Sequence, residues 1–242
     1  MAKHGKTYVD AAKKFDAETI FDPAEALVLI QSLARAKFDE TVEVVFRLGL
    51  DPRKAEQSIR GTVSLPAGTG KTIRIVVFAQ GEQARAAEAA GADVVGAEDL
   101  VARVEGGFLD FDLAIATPDL MAQVGKLGRA LGPRGLMPNP KTGTVTADVG
   151  KAVTEFKGGR VEYRTDRYGN VQVPIGKVSF SKEALVGNYQ AVMDEVLRAK
   201  PASAKGRYIK GVSMSSTMGP GVRIDPTRTK DLLGEAPTGA PR

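Results

Sequence analysis

Hydrophobic and polar positions change their rhythm twice along this chain, and each rhythm predicts its own kind of element. Asp22 followed by Pro23 reads as a helix N-cap with proline at the first helical position, and Leu27, Ile30 and Ala34 give that helix one apolar face. In Glu40–Leu50 the residues Val42, Val44, Phe46, Leu48 and Leu50 alternate with Glu43 and Arg47, the period of a half-buried strand. Gly61–Leu65 reads as a second strand. From about residue 67 the texture changes. Ile73–Ala79 and Leu113–Ala116 are nearly continuous apolar runs, as in strands buried on both faces. Between them lie an Ala-rich helix (Glu82–Ala90) stopped by Gly91, a short strand (Asp93–Val95) and a short helix (Glu98–Val104); Pro118 opens another helix. After residue 150 the first rhythm returns. Arg160–Arg164 and Val171–Ile175 flank the turn Asp166–Asn170 and predict a hairpin. A helix runs from its N-cap Ser181 to about Ala199, with Pro201 beyond, and Tyr208–Met214 and Val222–Ile224 read as strands.

Strand–helix alternation repeated three times predicts a small parallel sheet with helices on both faces. The flanking segments predict an antiparallel sheet with helices. The expected fold class is therefore α/β: an α+β outer domain (1–66 plus 159–229) carrying an inserted Rossmann-like, doubly wound domain (67–158). The last residues, 230–242, are rich in Gly, Pro and Ala and predict a disordered tail.

Charge sharpens this division. Residues 1–66 carry 10 basic and 10 acidic side chains, residues 67–158 carry 10 and 11, and residues 159–242 carry 14 and 8. The net charge of +5 thus comes from the last third, and a localised basic surplus favours a polyanionic partner. There is no Cys, so disulfides, thiolate metal sites and a cysteine nucleophile are excluded, and a reducing cytoplasm fits. His4 is the only histidine and reads as an exposed terminal residue, which removes the usual base and zinc ligand. No apolar run approaches the ~20 residues of a membrane span, and the basic N-terminus leads into no secretory-type apolar segment. These features predict no catalytic residue, no metal, no cofactor and no membrane partner.

One motif argues the other way. Leu65-Pro-Ala-Gly-Thr-Gly-Lys-Thr72 is one residue short of a phosphate-binding P-loop, and Gly68 to Thr72 supply the alternative reading of a nucleotide-binding enzyme. A working P-loop enters a helix whose N-terminus faces the anion. Here Ile73-Arg-Ile-Val-Val-Phe follows, which predicts a strand. The dinucleotide fingerprint is missing too, since Gln80-Gly-Glu-Gln-Ala-Arg85 has a single Gly after the first buried strand.

Three other segments carry candidate chemistry. Gly125–Lys141 holds Lys126, Arg129, Arg134 and Lys141, and no acid lies between Asp119 and Asp148. Its density of Gly and Pro predicts a shaped loop without regular structure. It serves either phosphate contact or packing on its own domain, and the residues alone do not decide. In Ala36–Val44, Lys37 can meet a phosphate, Phe38 can lie against a base or sugar, and Thr41 and Glu43 can bond 2′-hydroxyls or base edges. The plain alternative makes Phe38 a core residue and the charges a solvated strand face. In Ser215–Gly221 small hydroxylated residues and two glycines permit close approach of another polymer, with Met218 as a soft apolar contact and Lys205, Arg207 and Lys210 upstream. A scaffold whose basic loops are merely solvated remains a third reading.

Together these segments resemble the bacterial ribosomal proteins of the L-one family, found at the mobile stalk of the large ribosomal subunit. The resemblance covers about residues 1–230. It is most specific in Leu127-Gly-Arg-Ala-Leu-Gly-Pro-Arg-Gly-Leu-Met-Pro-Asn-Pro-Lys-Thr-Gly-Thr-Val145, with Ala36–Val44 and Thr217–Pro220 as further blocks. It implies an inserted middle domain and an outer domain that binds the stalk helices of large-subunit ribosomal RNA. It also implies help in releasing deacylated tRNA from the exit site, repression of the own operon through its mRNA, a monomer off the ribosome and a cytoplasmic location. By matching positions it implies RNA contact at Lys37, Phe38, Thr41, Glu43, Thr217, Met218 and Gly219. Auxiliary cations are expected at Lys6, Lys205 and Arg207 on the rim of that grip, and at Lys126, Arg129, Arg134 and Lys141 in the middle domain.

Overall fold

The computed structural model describes residues 5–228; His4 and the tail 230–242 lie outside them. The chain begins with α1 (Lys6–Ala12), β1 (Ile20–Phe21), α2 (Pro23–Leu33), β2 (Thr41–Leu48) and β3 (Arg60–Ser64). Next come β4 (Ile75–Phe78), α3 (Gly81–Ala89), β5 (Val94–Gly96), α4 (Glu98–Glu105), β6 (Leu113–Ala116) and the single-turn helices α5 (Met121–Val124) and α6 (Gly128–Leu131). The chain then forms α7 (Val149–Lys157), β7 (Arg160–Arg164), β8 (Asn170–Lys177), α8 (Lys182–Arg198), β9 (Ile209–Ser216) and β10 (Val222–Ile224). The fold class is α/β, and the chain falls into two compact units.

Within the described residues the first unit comprises 5–59, 65–70 and 163–228. Its sheet has the order β1-β10-β9-β2-β8, antiparallel except for the parallel pair β1–β10. The alternation read along β2 decides its faces. Val42, Val44, Phe46 and Leu48 are buried beneath α2 and α8, while Thr41, Glu43, Val45 and Arg47 line the other face with Ser213 and Ser215 of β9. Phe46 stacks on Tyr189 of α8 with ring centroids 6.2 Å apart. Truncating such a buried ring costs about 3–5 kcal/mol, so the helices lock this sheet from one side only.

The second unit comprises residues 60–64 and 71–162. Its parallel sheet, β5-β4-β6, has β4 at the centre with all four residues buried. Val76 and Phe78 face Leu100, Val104, Leu127 and Leu131; Ile75 and Val77 face Ala87, Val153 and Phe156. A continuous apolar run therefore serves two cores, as the sequence pattern requires. β3 and β7 form a separate two-stranded sheet.

Four expectations need correction. Residues 60–64 belong with the middle unit and 65–70 with the outer one, so the first crossing is not a single cut at 66. The reason is Asn188, a buried side chain of α8 that accepts from Ala67 N–H (2.9 Å) and donates to the carbonyls of Gly68 (2.9 Å) and Ile175 (2.7 Å). The predicted hairpin is only a turn. Asp166–Asn170 closes it, one bridge joins Thr165 to Val171, and then β8 pairs with β2 while β7 joins β3. β8 offers three buried apolar side chains, Val171, Val173 and Ile175, against Tyr163 alone on β7, so it is drawn into the larger core. Gly125–Leu131 is helical rather than irregular, because Leu120, Val124, Leu127 and Leu131 recur at helical spacing and are buried. That burial outweighs roughly 1 kcal/mol lost per helical glycine. Finally α7, with Val149, Ala152, Val153 and Phe156 inward and Asp148 capping through Lys151 N–H (3.2 Å), forms where no helix was predicted.

The near P-loop takes no phosphate-binding form. No helix follows Thr72, β4 begins at Ile75, and the Lys71 ammonium pairs with Asp112 at 2.7 Å. Among the described residues there is no cluster of potential metal ligands, and no helix is long and apolar enough to cross a membrane.

Candidate nucleic-acid interface

α2 ends at Leu33, and the corner that follows must turn the chain into β2. A buried carboxylate organises that corner. Glu40 sits on the inward phase of the β2 alternation, two residues before Val42, and is only 2% exposed. Its Oε1 accepts from the backbone N–H groups of Arg35 and Ala36, both at 2.9 Å, and its Oε2 accepts from Met218 N–H at 3.0 Å. Burial opposes its ionisation. The nearby Ser216 hydroxyl and the hydrogen bonds from those three N–H groups outweigh that penalty and hold the carboxyl below its ordinary value. Glu40 therefore ties the corner after α2 to the turn after β9, across 178 residues of sequence.

A second clasp lies beside it. The Thr217 hydroxyl accepts from Thr41 N–H (2.9 Å) and donates to the Thr41 carbonyl (3.3 Å), while Lys177 Nζ donates to the Thr41 hydroxyl at 2.8 Å. Gly219 N–H donates to Ser216 O at 3.2 Å and closes the turn. A Cβ on Gly219 would come 2.5 Å from Ser216 Oγ, so a side chain there must push the Ser216 hydroxyl aside.

With the backbone held by these clasps, two large apolar side chains point outward, Phe38 at 56% exposure and Met218 at 64%. They flank a hollow of about 160 Å³ lined also by Thr7, Tyr8, Leu33 and Arg35. The reading of Phe38 as a core residue is thus wrong: its backbone belongs to the corner that Glu40 holds, and its ring faces solvent. Lys37 and Glu43 are exposed, and Glu43 stands opposite Ser215 on the uncovered sheet face. Lys6 is exposed on α1, immediately before Thr7 and Tyr8 of the hollow. Lys37, Phe38, Thr41, Glu43, Thr217, Met218 and Gly219 therefore meet at one end of the first unit's sheet. The arrangement offers a flat aromatic face, a soft thioether, hydroxyls and bare backbone at a cationic edge, which suits a folded polyribonucleotide.

Lys205 and Arg207 do not join them. They precede β9, whereas Thr217 follows it, and eight residues of strand separate the two ends by about 23 Å. In the second unit Lys126, Arg129, Arg134 and Lys141 are all exposed, and none forms an ion pair with a described residue. The loop bearing Lys141 is rigid. Asn139 accepts from Lys141 N–H (2.8 Å) through its side chain, and its carbonyl accepts from the buried hydroxyls of Thr142 and Thr144 (3.1 Å each). Part of the Leu127–Val145 block is therefore internal scaffold.

Glu40 and Asn188 were not singled out from the sequence. Glu40 carried a signal, since an acid on the buried phase of an alternating strand must find donors. Asn188 carried little, being one polar residue within a helix.

Comparison with known proteins adds to this geometry. Residues 30–220 match the family model described as the ribosomal protein L1p/L10e family. The chain is 60% identical over 236 residues to the large ribosomal subunit protein uL1 of Rhodococcus erythropolis, covering 98% of this chain and 99% of that one. It is 61% identical over 229 residues to uL1 of Cutibacterium acnes (95% and 99% covered), and 58% identical over 234 residues to uL1 of Thermobifida fusca (97% and 100% covered). A model matched over most of the chain, and relatives matched over nearly all of it, place this protein in the ribosomal protein L1p/L10e family.

Proposed function

We propose that the first unit grips the stalk helices of large-subunit ribosomal RNA through the surface around Phe38, Thr41, Thr217, Met218 and Gly219. Membership of a ribosomal-protein family makes the chain a structural ribosomal protein and not an enzyme. The observation that carries the RNA reading is the pair of clasps, Glu40 to Met218 and Thr41 to Thr217, which hold two distant loops rigid while leaving Phe38 and Met218 in solvent. Preformed backbone and a stacking ring are what shape-selective RNA recognition uses. The discontinuous outer unit is the RNA-binding domain. In the cytoplasmic ribosome the protein assists departure of deacylated tRNA from the exit site, and off the ribosome it acts as a monomer that represses its own operon by binding a similar mRNA structure. The exposed cations of the second unit supply auxiliary phosphate contacts.

Two terms divide the affinity. Each phosphate neutralised by Lys37 or Lys6 steepens the slope of log K against log salt by about 0.7–0.9, without regard to sequence. The packed surface supplies selectivity. Measured against a stalk transcript and a scrambled one, Gly219→Val lowers the preference between them, because its branched side chain crowds the Ser216 hydroxyl and occupies the surface where the RNA backbone would approach. Lys205→Ala, about a strand length away, weakens both equally or not at all. Identical losses on the two RNAs for Gly219→Val, or failure of the protein to co-sediment with large subunits, overturn the reading.

A further inference from the structure

The opposite end of the same sheet carries a second concentration of cations around one exposed ring. Tyr168 is 84% exposed, more than either Phe38 or Met218, and it sits in the turn Asp166–Asn170. That turn is stiff. The Asp166 carboxylate accepts from Tyr168 N–H (2.8 Å), Asn170 N–H (2.8 Å) and the Asn170 side-chain amide (2.9 Å), and these bonds, set against partial burial, hold its carboxyl below the ordinary value. Gly169, at φ +83°, reverses the chain, and its carbonyl accepts from Leu48 N–H at 3.0 Å, which fixes the turn to the end of β2.

Cations gather at this end through strand register. Arg47 stands opposite both Asn170 and Gly211, so it flanks the turn on the uncovered face and lies beside Lys210. Arg167 is the neighbour of Tyr168, and Arg164 ends β7 just before the turn. Arg207 reaches the same end, with its carbonyl packed against Gly49. Arg47, Arg164, Arg167 and Lys210 are without an ion pair among the described residues. Of the acids at this end, Asp166 accepts the turn's N–H groups, Asp51 accepts from Arg53 N–H at 3.2 Å, and Asp225 shares its charge interaction with Arg207. An exposed aromatic ring on a stiff turn, with guanidinium and ammonium groups around it, matches an unstacked nucleotide and its flanking phosphates.

We infer that the Arg167–Tyr168 turn, with Arg47, Arg164, Arg207 and Lys210, is a second RNA contact, stacking one unpaired base of the same ribosomal RNA. The inference rests on the RNA-binding reading above. The uncovered face of β2, from Thr41 through Glu43 and Val45 to Arg47, joins the two ends over about 20 Å, a span one folded RNA can cover. It also gives Lys205 and Arg207 a place, at this end and not at the Thr41–Thr217 rim.

The test uses the full chain and a stalk transcript. Tyr168→Ala weakens binding about ten-fold or more, the scale of one base–aromatic stack, while Tyr168→Phe keeps the ring and stays within about two-fold of the wild type. Arg167→Gln flattens the salt slope by about 0.7–0.9, one phosphate contact. The chain has no tryptophan, so Tyr168→Trp places a single reporter at the turn, and its emission is quenched on saturation with RNA. An unshifted thermal midpoint checks that these exposed substitutions leave the fold intact. If the wild type binds the transcript while Tyr168→Ala leaves affinity unchanged and the tryptophan emission does not move, the second contact is refuted and the first stands. If the wild type does not bind, the RNA reading itself has failed.

Discussion

Replacing Glu40 by Gln changes one atom and tests the clasp on which the interface depends. The carboxylate accepts three backbone N–H groups on two oxygens. Glutamine has one acceptor oxygen, so whichever way it is turned, an NH₂ group confronts either Met218 N–H or the pair at Arg35 and Ala36. At least one hydrogen bond to a charged group, worth about 1.5–3 kcal/mol, is lost, and the surviving bonds weaken to their neutral strength of about 0.5–1.5 kcal/mol each. Relief from burying a charge offsets part of this. The net loss at neutral pH is therefore about 2–3 kcal/mol in the first unit, read by urea unfolding and by faster hydrogen exchange at Met218 and Ala36. The pH dependence has a definite sign. Glu40 has its folded value below the ordinary 4.5, so its contribution is present above about pH 4.5 and is lost as the pH falls through the lowered value. The gap between wild type and Glu40→Gln should close on acidification. A gap below about 0.5 kcal/mol at pH 7, or one that persists unchanged to pH 2, would show that the three bonds do not hold the corner.

Other substitutions separate the two clasps from the rest of the molecule. Thr217→Val removes both bonds to Thr41 and costs about 1–2 kcal/mol together with RNA affinity, whereas Thr217→Ser retains the hydroxyl and keeps both; filter binding and urea titration read the difference. Asn188→Ala strands Ala67 N–H and the carbonyls of Gly68 and Ile175, destabilising the first unit by about 2–3 kcal/mol with exchange rising first at Ala67. Lys71→Ala removes a surface pair with Asp112, worth less than about 1 kcal/mol, and leaves RNA affinity unchanged; a nucleotide-dependent shift in melting that this variant abolished would revive the P-loop reading.

How much of this was legible depended on whether local pattern and long-range pairing agreed. The alternation from Val42 to Leu48 and the apolar run at Ile75–Phe78 gave strand identity and burial directly, because each is decided by which faces meet a core. Asp22–Pro23 and Ser181 marked real helix starts, and Ser181 caps through Ala184 N–H at 3.2 Å. Pairing was less accessible. Arg160–Arg164 and Val171–Ile175 look like hairpin partners, yet β8 gains more by joining β2 than by staying with β7, and no local rule weighs two distant cores. At Gly125–Leu131 the glycines spoke against helix while buried leucines at helical spacing spoke for it, and tertiary burial decided. α7 was readable from Val149, Val153 and Phe156 but lay in the shadow of the preceding Gly- and Pro-rich block. At the interface the segments were identifiable by resemblance. Their meeting was not, because it depends on Glu40 and Thr217 reaching across more than 170 residues.

The central claim is that selectivity for a folded RNA resides where Phe38 and Met218 project from the clasped loops. The most direct measurement is the ratio of affinities for a stalk transcript and a scrambled transcript, near physiological salt, in the wild type and in the double variant Phe38→Ala/Met218→Ala. Both side chains are exposed, so the fold should survive, and the ratio should collapse toward one while residual, salt-sensitive binding remains. An undiminished ratio in the double variant would contradict the account.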